Sequence, residues 1–444
     1  MSTYHHSPLN IEQIEKNFAE INPALTTTEA LHEANRCLYC YDAPCTQACP
    51  THIDVPSFIK KIASGNLLGS ARVIFDANPI GASCARVCPV EVLCEGACVE
   101  KTLLQKPIEI ARLQRHATDF AMEKGRRIFE KGEPNGRSVG IVGSGPAGIS
   151  CATYLARLGY DVTIYERKAM AGGLDTYGMA EYKMPQKVSL DEVEHVEKMG
   201  VRFELNTDIG KDVTFEHLLN KHDAVFLGAG LGETNRMNIP GEELEGVYDA
   251  LDFIEKVKTR DWMSVPLGKT VAVIGAGNTA VDAVTQAKRL GAERVIMVYR
   301  RGEKDMPAYD YEYELAKKDG IEFVWNAAPI GIISGQNGNG LNLRCERTGE
   351  FNELFEIPCD MVVKATGQQK MRAFFEQVAG VETDERGRVR VNDSMQTSNP
   401  KIFAGGDCVN GGAEAVDASQ MGKLAASAIH KDLTGEESKF AGMK

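Results

Sequence analysis

A chain of 444 residues, 43% hydrophobic and 25% charged, is too long for one ordinary core, so two or three domains are expected. Its formal net charge of −12 argues against a nucleic-acid partner, because phosphate contacts need a basic face. No apolar run approaches the length of a membrane span, and the first ten residues lack a signal peptide's basic and apolar regions, so a cytoplasmic protein without a membrane partner is expected.

The His5–His6 pair reads as an ordinary exposed terminus. From there to about residue 130 the chain reads as helical, with apolar and charged residues at helical spacing over 57–64 and 108–124. Eight of the twelve cysteines fall between Cys37 and Cys98. The first run is Cys37-x2-Cys40-x4-Cys45-x3-Cys49-Pro50, and the second is Cys84-x3-Cys88-x5-Cys94-x3-Cys98. A disulfide scaffold would suit a small exported chain, which this is not expected to be. Zinc ribbons favour repeated C-x2-C pairs, and only one occurs here. Thiolates spaced two to four residues apart can face one centre from a single loop. A cysteine just before proline often serves a second cluster. By spacing alone, the eight suit two four-iron clusters.

Lys131–Gly136 is turn-rich and marks a boundary. A buried-strand pattern at 138–142 follows, then Gly143-Ser-Gly145-Pro146-Ala147-Gly148 and a helix. Such glycines let a pyrophosphate approach the backbone at a helix N-terminus. The next strand ends at Glu166, eighteen residues past Gly148, where a carboxylate can hold ribose hydroxyls. Gly173 and Leu174 are further nucleotide-contact candidates. No C-x2-C or C-x4-C pair follows this loop, so a disulfide-reductase mechanism is not expected. Cys151 and Cys408 read as packing residues.

The same strand, loop and helix recur at 270–274 and Gly275-Ala-Gly277-Asn278-Thr279-Ala280. Here the second strand ends in Arg300-Arg301 rather than an acid, which suits a 2′-phosphate. Lys364-Ala-Thr366-Gly367 has the composition of a strand ending at a close backbone approach. Gly406-Asp407 follows a short strand late in the chain and precedes an alanine-rich helix expected over 413–433. Two-nucleotide flavoproteins place such an aspartate near the flavin ribityl and phosphates. The helix N-terminus around Ala415 and Val416 can then face the isoalloxazine.

This order of motifs resembles the glutamate synthase small-subunit family over nearly the whole chain. Within it, the first 120 residues look closest to dihydropyrimidine dehydrogenases, through Cys-Leu-Tyr-Cys40-Tyr-Asp-Ala-Pro-Cys45, Cys49-Pro-Thr, Ser57-Phe-Ile, Asn78-Pro-Ile-Gly81, Cys88-Pro, Leu93-Cys94-Glu-Gly-Ala-Cys98 and Leu113-Gln114. The FMN barrel and ferredoxin-like tail of the long enzymes are missing, so the chain looks like the electron-input subunit of the bacterial two-subunit form. The resemblance implies one cluster on Cys37, Cys40, Cys45 and Cys98. It implies a second on Cys49, Cys88, Cys94 and Gln114, with Cys84 left over, although thiolate is the better iron ligand.

The expected fold class is α+α/β: a helical two-[4Fe-4S] domain followed by two Rossmann-like domains. The domains expected are a helical iron–sulfur domain at 1–135, an FAD-binding part at 136–250, an NAD(P)-binding domain at 251–361 and a second FAD-binding part at 362–444. The function implied is NAD(P)H oxidation through FAD and two [4Fe-4S] clusters, feeding an FMN and iron–sulfur barrel subunit of the PreA type in a heteromer for pyrimidine catabolism. The resemblance points to NADH and the arginines to NADPH. The alternatives are a glutamate synthase small subunit, an NADH-dependent ferredoxin oxidoreductase subunit, or a non-enzymatic scaffold with structural clusters. The cofactors carry the redox chemistry, so no protein acid or base is named as catalytic.

Overall fold

The computed structural model describes residues 7–335, 340–349 and 353–441, which leaves His5 and His6 outside. Two compact units are present, each assembled from separated stretches of chain.

The larger unit comprises Asn22–Thr176, Gln186–Leu231 and Lys370–Lys444. Its helical part opens with Thr27–Ala34, where Thr26 and Glu29 form a reciprocal cap. Val55–Ala63 and Leu67–Ala77 follow, capped by the Asp54 and Asn66 side chains. Gly81–Val87 and Ile110–Glu123 follow, with short helices at Pro44–Gln47 and Val99–Leu104 beside the cysteines. The unit's parallel sheet runs in the order Ile402–Ala404, Ala224–Leu227, Ser138–Val142, Asp161–Tyr165, Arg202–Glu204. Its central strands are buried after their first residue, which is why they read as unbroken apolar runs. One hydrophobic core joins Phe58, Phe75 and Leu113 of the helices to Ile141, Tyr154 and Ile429 around the sheet. Burying each such side chain contributes roughly 1.5–3 kcal/mol. The segment expected as a separate helical domain therefore folds as one body with the first nucleotide-binding sheet.

The smaller unit comprises Met1–Ile21, Tyr177–Pro185 and Gly232–Gln369. Its parallel sheet runs Val247–Asp249, Met361–Lys364, Thr270–Ile274, Arg294–Val298, Glu322–Val324. A second, antiparallel sheet of three strands spans Ala327–Ser334, Leu341–Arg347 and Leu354–Cys359. The first nucleotide-binding fold is thus interrupted by the second, as the chain order suggests. Three details differ from the boundaries read in the sequence. The strand Met361–Lys364 pairs with Thr270–Ile274, so this unit runs to Gln369 rather than 361. Ile14 and Phe18 enter its core, and Asn17 Nδ2 donates to Arg289 O at 3.0 Å. Lys183 is buried in ion pairs with Asp282 and Glu312. Apolar burial and paired charge decide these memberships, and neither has a local spacing signature. No described helix is long and apolar enough to cross a membrane.

Candidate functional site

The first glycine loop links Ser138–Val142 to the helix Pro146–Arg157. Its glycines differ in what they face. Gly143 has φ +94°, and a Cβ there would lie 2.4 Å from Gly228 O. A Cβ on Gly148 would lie 2.1 Å from Gly143 O, so this glycine lets the helix pack on the strand. Gly145 caps the helix with φ −69°, and the nearest atom a Cβ would meet is Gly173 Cα at 3.9 Å. Gly145 thus opens onto a bare cradle walled by Gly173, with Leu174 starting the short helix behind it. That cradle fits a dinucleotide pyrophosphate.

Glu166 ends the neighbouring strand and is 8% exposed. Its Oε2 accepts from Ser144 N at 3.1 Å and Ser144 Oγ at 2.6 Å, and its Oε1 accepts from Lys168 N at 2.9 Å. A carboxylate offers about four acceptor sites, so one remains for a ribose hydroxyl. Ser144, which holds this carboxylate, carried no sequence signal, since serine is common in such loops.

At the other end of the sheet Gly406 has φ +75° and abuts Ala147, and Asp407 begins a short helix. Burial pushes the Asp407 carboxyl above the usual carboxylate range, opposed by the Ala413 N–H that donates to Oδ1 at 3.3 Å. The alanine-rich helix spans Ala415–Thr434, with Ala415 and Val416 in its first turn. It crosses Pro146–Arg157 closely at Gly422, where a Cβ would lie 2.2 Å from Ala147 O. Cys408 is buried against the Leu227 and Gly405 carbonyls, and Cys151 is fully buried.

The second loop repeats this logic in the smaller unit. A Cβ on Gly275 would lie 2.4 Å from Ala365 O, whereas one on Gly277 would meet only Pro307 Cγ at 4.0 Å, and Gly277 caps the helix Asn278–Arg289. Both line a cleft of about 660 Å³ together with Thr279, Arg300, Arg301, Thr366 and Gly367. Asn278 accepts from Tyr309 N at 3.2 Å, which holds the loop's far wall. Neither arginine has an ion-pair partner among the described residues, and the Arg301 guanidinium lies 5.4 Å from the Tyr299 ring centroid. Asn235 and Arg236 also line this cleft. Asn235 accepts at its carbonyl from Thr366 Oγ1 at 2.7 Å, a contact 131 residues apart that no local motif announces.

The cysteines fall into two groups. Cys37, Cys40, Cys45 and Cys98 line a single small pocket. Cys84, Cys94 and Cys49 all lie close enough to Cys88 to interact electrostatically, and Cys94 lies close to Cys45 as well. Burial pushes the Cys45 thiol up to about 12 and Cys94 well above its ordinary value. Metal binding must therefore offset that cost to take the thiolates. Gln114 is buried on Ile110–Glu123 and donates from Nε2 to Gly81 O at 2.7 Å. One turn earlier, Ala111 N donates to Glu95 beside Cys94 at 3.0 Å, which ties that cysteine's loop to the same helix. Cys84 is hydrogen-bonded to the Cys88 thiol, and its Sγ accepts from Asn78 Nδ2 at 3.1 Å. The cysteines and the open glycine cradle share one compact unit.

Comparison with known proteins finds two family matches along the chain. The pyridine nucleotide-disulphide oxidoreductase family matches residues 137–422, and dihydropyrimidine dehydrogenase domain II, 4Fe-4S cluster, matches residues 14–126. The chain is 36% identical to the glutamate synthase [NADPH] small chain of Escherichia coli K12, covering 95% of each. It is 35% identical to the NAD-dependent dihydropyrimidine dehydrogenase subunit PreT of the same strain, covering 94% of this chain and 97% of the relative. Among solved structures, thioredoxin reductase from T. acidophilum matches 67% of this chain and 99% of its own with TM-score 0.55 at 22% identity. FprA from Mycobacterium tuberculosis in complex with NADPH matches 68% of this chain and 85% of its own with TM-score 0.55 at 19% identity. These two likenesses concern the fold alone.

Proposed function

The chain belongs to the pyridine nucleotide-disulphide oxidoreductase family, in its glutamate synthase small-subunit branch, and from that premise we propose that it is the electron-input subunit of a heteromer that reduces uracil or thymine. It is an NAD(P)H-oxidising FAD and [4Fe-4S] oxidoreductase. When bound, FAD takes an electron pair as hydride from the nicotinamide, and four-iron clusters carry single electrons onward. The protein's part is to hold and orient. Gly145 would admit the FAD pyrophosphate, with Gly143 and Gly148 fixing the turn and the helix packing around it, Glu166 would take a ribose hydroxyl, and Asp407 with the Ala415–Thr434 N-terminus would hold the flavin side. Gly277 and Thr279 would admit the nicotinamide dinucleotide, with Gly275 shaping the turn.

The observation that carries this reading is the seating of both cysteine groups and the first glycine cradle in one compact unit with a common core. The proposed partner is a PreA-type FMN and iron–sulfur subunit, supported by the PreT relatives and the match to a dihydropyrimidine dehydrogenase cluster domain. The test is anaerobic purification from the source organism. About eight iron and eight sulfide per chain are expected, with a partner that supports uracil reduction. Stoichiometric zinc with negligible sulfide overturns the cluster reading, and a partner without pyrimidine activity overturns the substrate reading.

One observation favours a second reading. Arg300 and Arg301 line the nucleotide cleft, and they suit the NADPH of the glutamate synthase relative better than the NAD of PreT. Charge-assisted hydrogen bonds of this kind contribute roughly 1.5–3 kcal/mol. Replacing both arginines with alanine is expected to lower the NADPH-to-NADH ratio of kcat/KM by at least about tenfold, equivalent to about 1.4 kcal/mol. An unchanged ratio makes them a solvated strand end. A co-purifying subunit with glutaminase activity would establish the second reading.

A further inference from the structure

Between the helix Ala415–Thr434 and the cysteine loops lies a buried polar network to which no role has yet been given. Lys423 is 2% exposed, and its Nζ donates to Thr51 O at 3.1 Å and Ala77 O at 3.3 Å. Thr51 Oγ1 in turn lies 3.4 Å from Cys49 Sγ. One turn before Lys423, Ser419 Oγ donates to Asn78 Oδ1 at 2.8 Å, and Asn78 Nδ2 donates to Cys84 Sγ. Thr51, Asn78 and Ser419 are all fully buried.

A buried ammonium is costly unless an anion balances it. Lys423 has no ion-pair partner among the described residues. The carboxylate that faces it, Asp76, is already paired with Arg157. Burial and Arg157 lower the lysine to about 8, while Asp76 and Cys49 pull it the other way. Two backbone carbonyls solvate the cation but do not neutralise it. A four-iron cluster held by three thiolates and a neutral amide is anionic, and more so once reduced.

We propose that Lys423 is a positioning residue that supplies the fixed positive charge beside the second cluster and thereby raises that cluster's reduction potential. The charge sits on the helix that follows Asp407, so one element serves both the flavin side and the cluster side. The inference rests on the reading of Cys49 as a ligand of that cluster. A nearby cation favours the form that carries one more electron, which fixes the sign.

The test is a redox titration of the anaerobically prepared full chain, followed by electron paramagnetic resonance. Lys423→Met and Lys423→Gln remove the charge, and glutamine keeps a donor to the carbonyls. Both should shift one cluster's equilibrium toward the oxidised form by at least about tenfold, which is 59 mV for one electron. Lys423→Arg should stay near the parent value. In chelator-treated protein, Lys423→Met should melt no lower than the parent, because it removes an unbalanced charge. An unmoved potential in both neutral variants overturns the proposal. So does a lower melting temperature of the cluster-free Lys423→Met protein with an unmoved potential, the mark of a structural peg. If the methionine variant does not load clusters, the glutamine variant decides by the same readout. Cys49→Ser that keeps both clusters would instead overturn the ligand reading.

Discussion

Gly145→Val is expected to abolish FAD retention while leaving a folded protein. The backbone at Gly145 has φ −69°, which valine adopts without strain, and an added Cβ meets only Gly173 Cα at 3.9 Å. The valine methyls would occupy the space assigned to the pyrophosphate. FAD affinity should fall by at least about a hundredfold, equivalent to about 2.8 kcal/mol. Gly148→Val is the contrasting case, because its Cβ would lie 2.1 Å from Gly143 O and must move the backbone. That variant should lose both the flavin and thermal stability. Glu166→Ala should be milder, since it removes a charged hydrogen-bond acceptor worth roughly 1.5–3 kcal/mol. It also strips Ser144 of its partner. Flavin absorbance per chain and the melting temperature check all three. Full FAD occupancy in Gly145→Val would mean that the pyrophosphate lies elsewhere.

The second large effect concerns Gln114 and Cys84, where spacing and family resemblance disagree. Gln114→Leu is expected to lose about half of the iron, as one of two four-iron clusters would carry. Cys84→Ser is expected to keep all of it. The surroundings of both side chains bear on this. Gly81 O holds the Gln114 amide nitrogen, so the amide oxygen is the atom left to serve as a neutral donor. Cys84 Sγ is engaged by Asn78, whose own oxygen is held by Ser419. Cys84 therefore sits inside the polar network that joins the cysteine loops to the Ala415–Thr434 helix. Its hydrogen bond to Cys88 keeps the all-cysteine alternative in play as the outcome to beat. Gln114→Cys should retain iron but lower that cluster's potential, because an added thiolate adds negative charge. If Cys84→Ser loses half the iron and Gln114→Leu keeps it all, the all-cysteine assignment is right.

The features legible in the sequence were those whose chemistry needs contiguous residues. A glycine loop must follow a buried strand and open a helix within a few positions, and a ribose-binding acid must end the next strand. Gly143 to Glu166 and Gly275 to Arg301 therefore declared two nucleotide-binding folds, and the late Gly406-Asp407 declared that the second interrupts the first. The cysteine runs were visible as local clusters, but the carried-over ligand sets draw on both runs and on Gln114, which spacing alone does not indicate.

The tertiary structure alone decided what depends on residues far apart in the chain. It assigned the N-terminal stretch to 21 and the segment 177–185 to the smaller unit, because Ile14, Phe18 and Tyr182 find apolar partners there. It merged the cysteine helices with the first sheet, because amphipathic helices of this length bury their apolar faces on whatever core is nearest. It set Ser144 against Glu166, Asn235 against Thr366, and Lys423 against Thr51 across 372 residues. Periodicity and spacing report which face of an element is apolar and which loops can bend. They carry no record of which distant surface that face will meet, and that choice brought the buried Lys423 ammonium, without an ion-pair partner among the described residues, near Cys49.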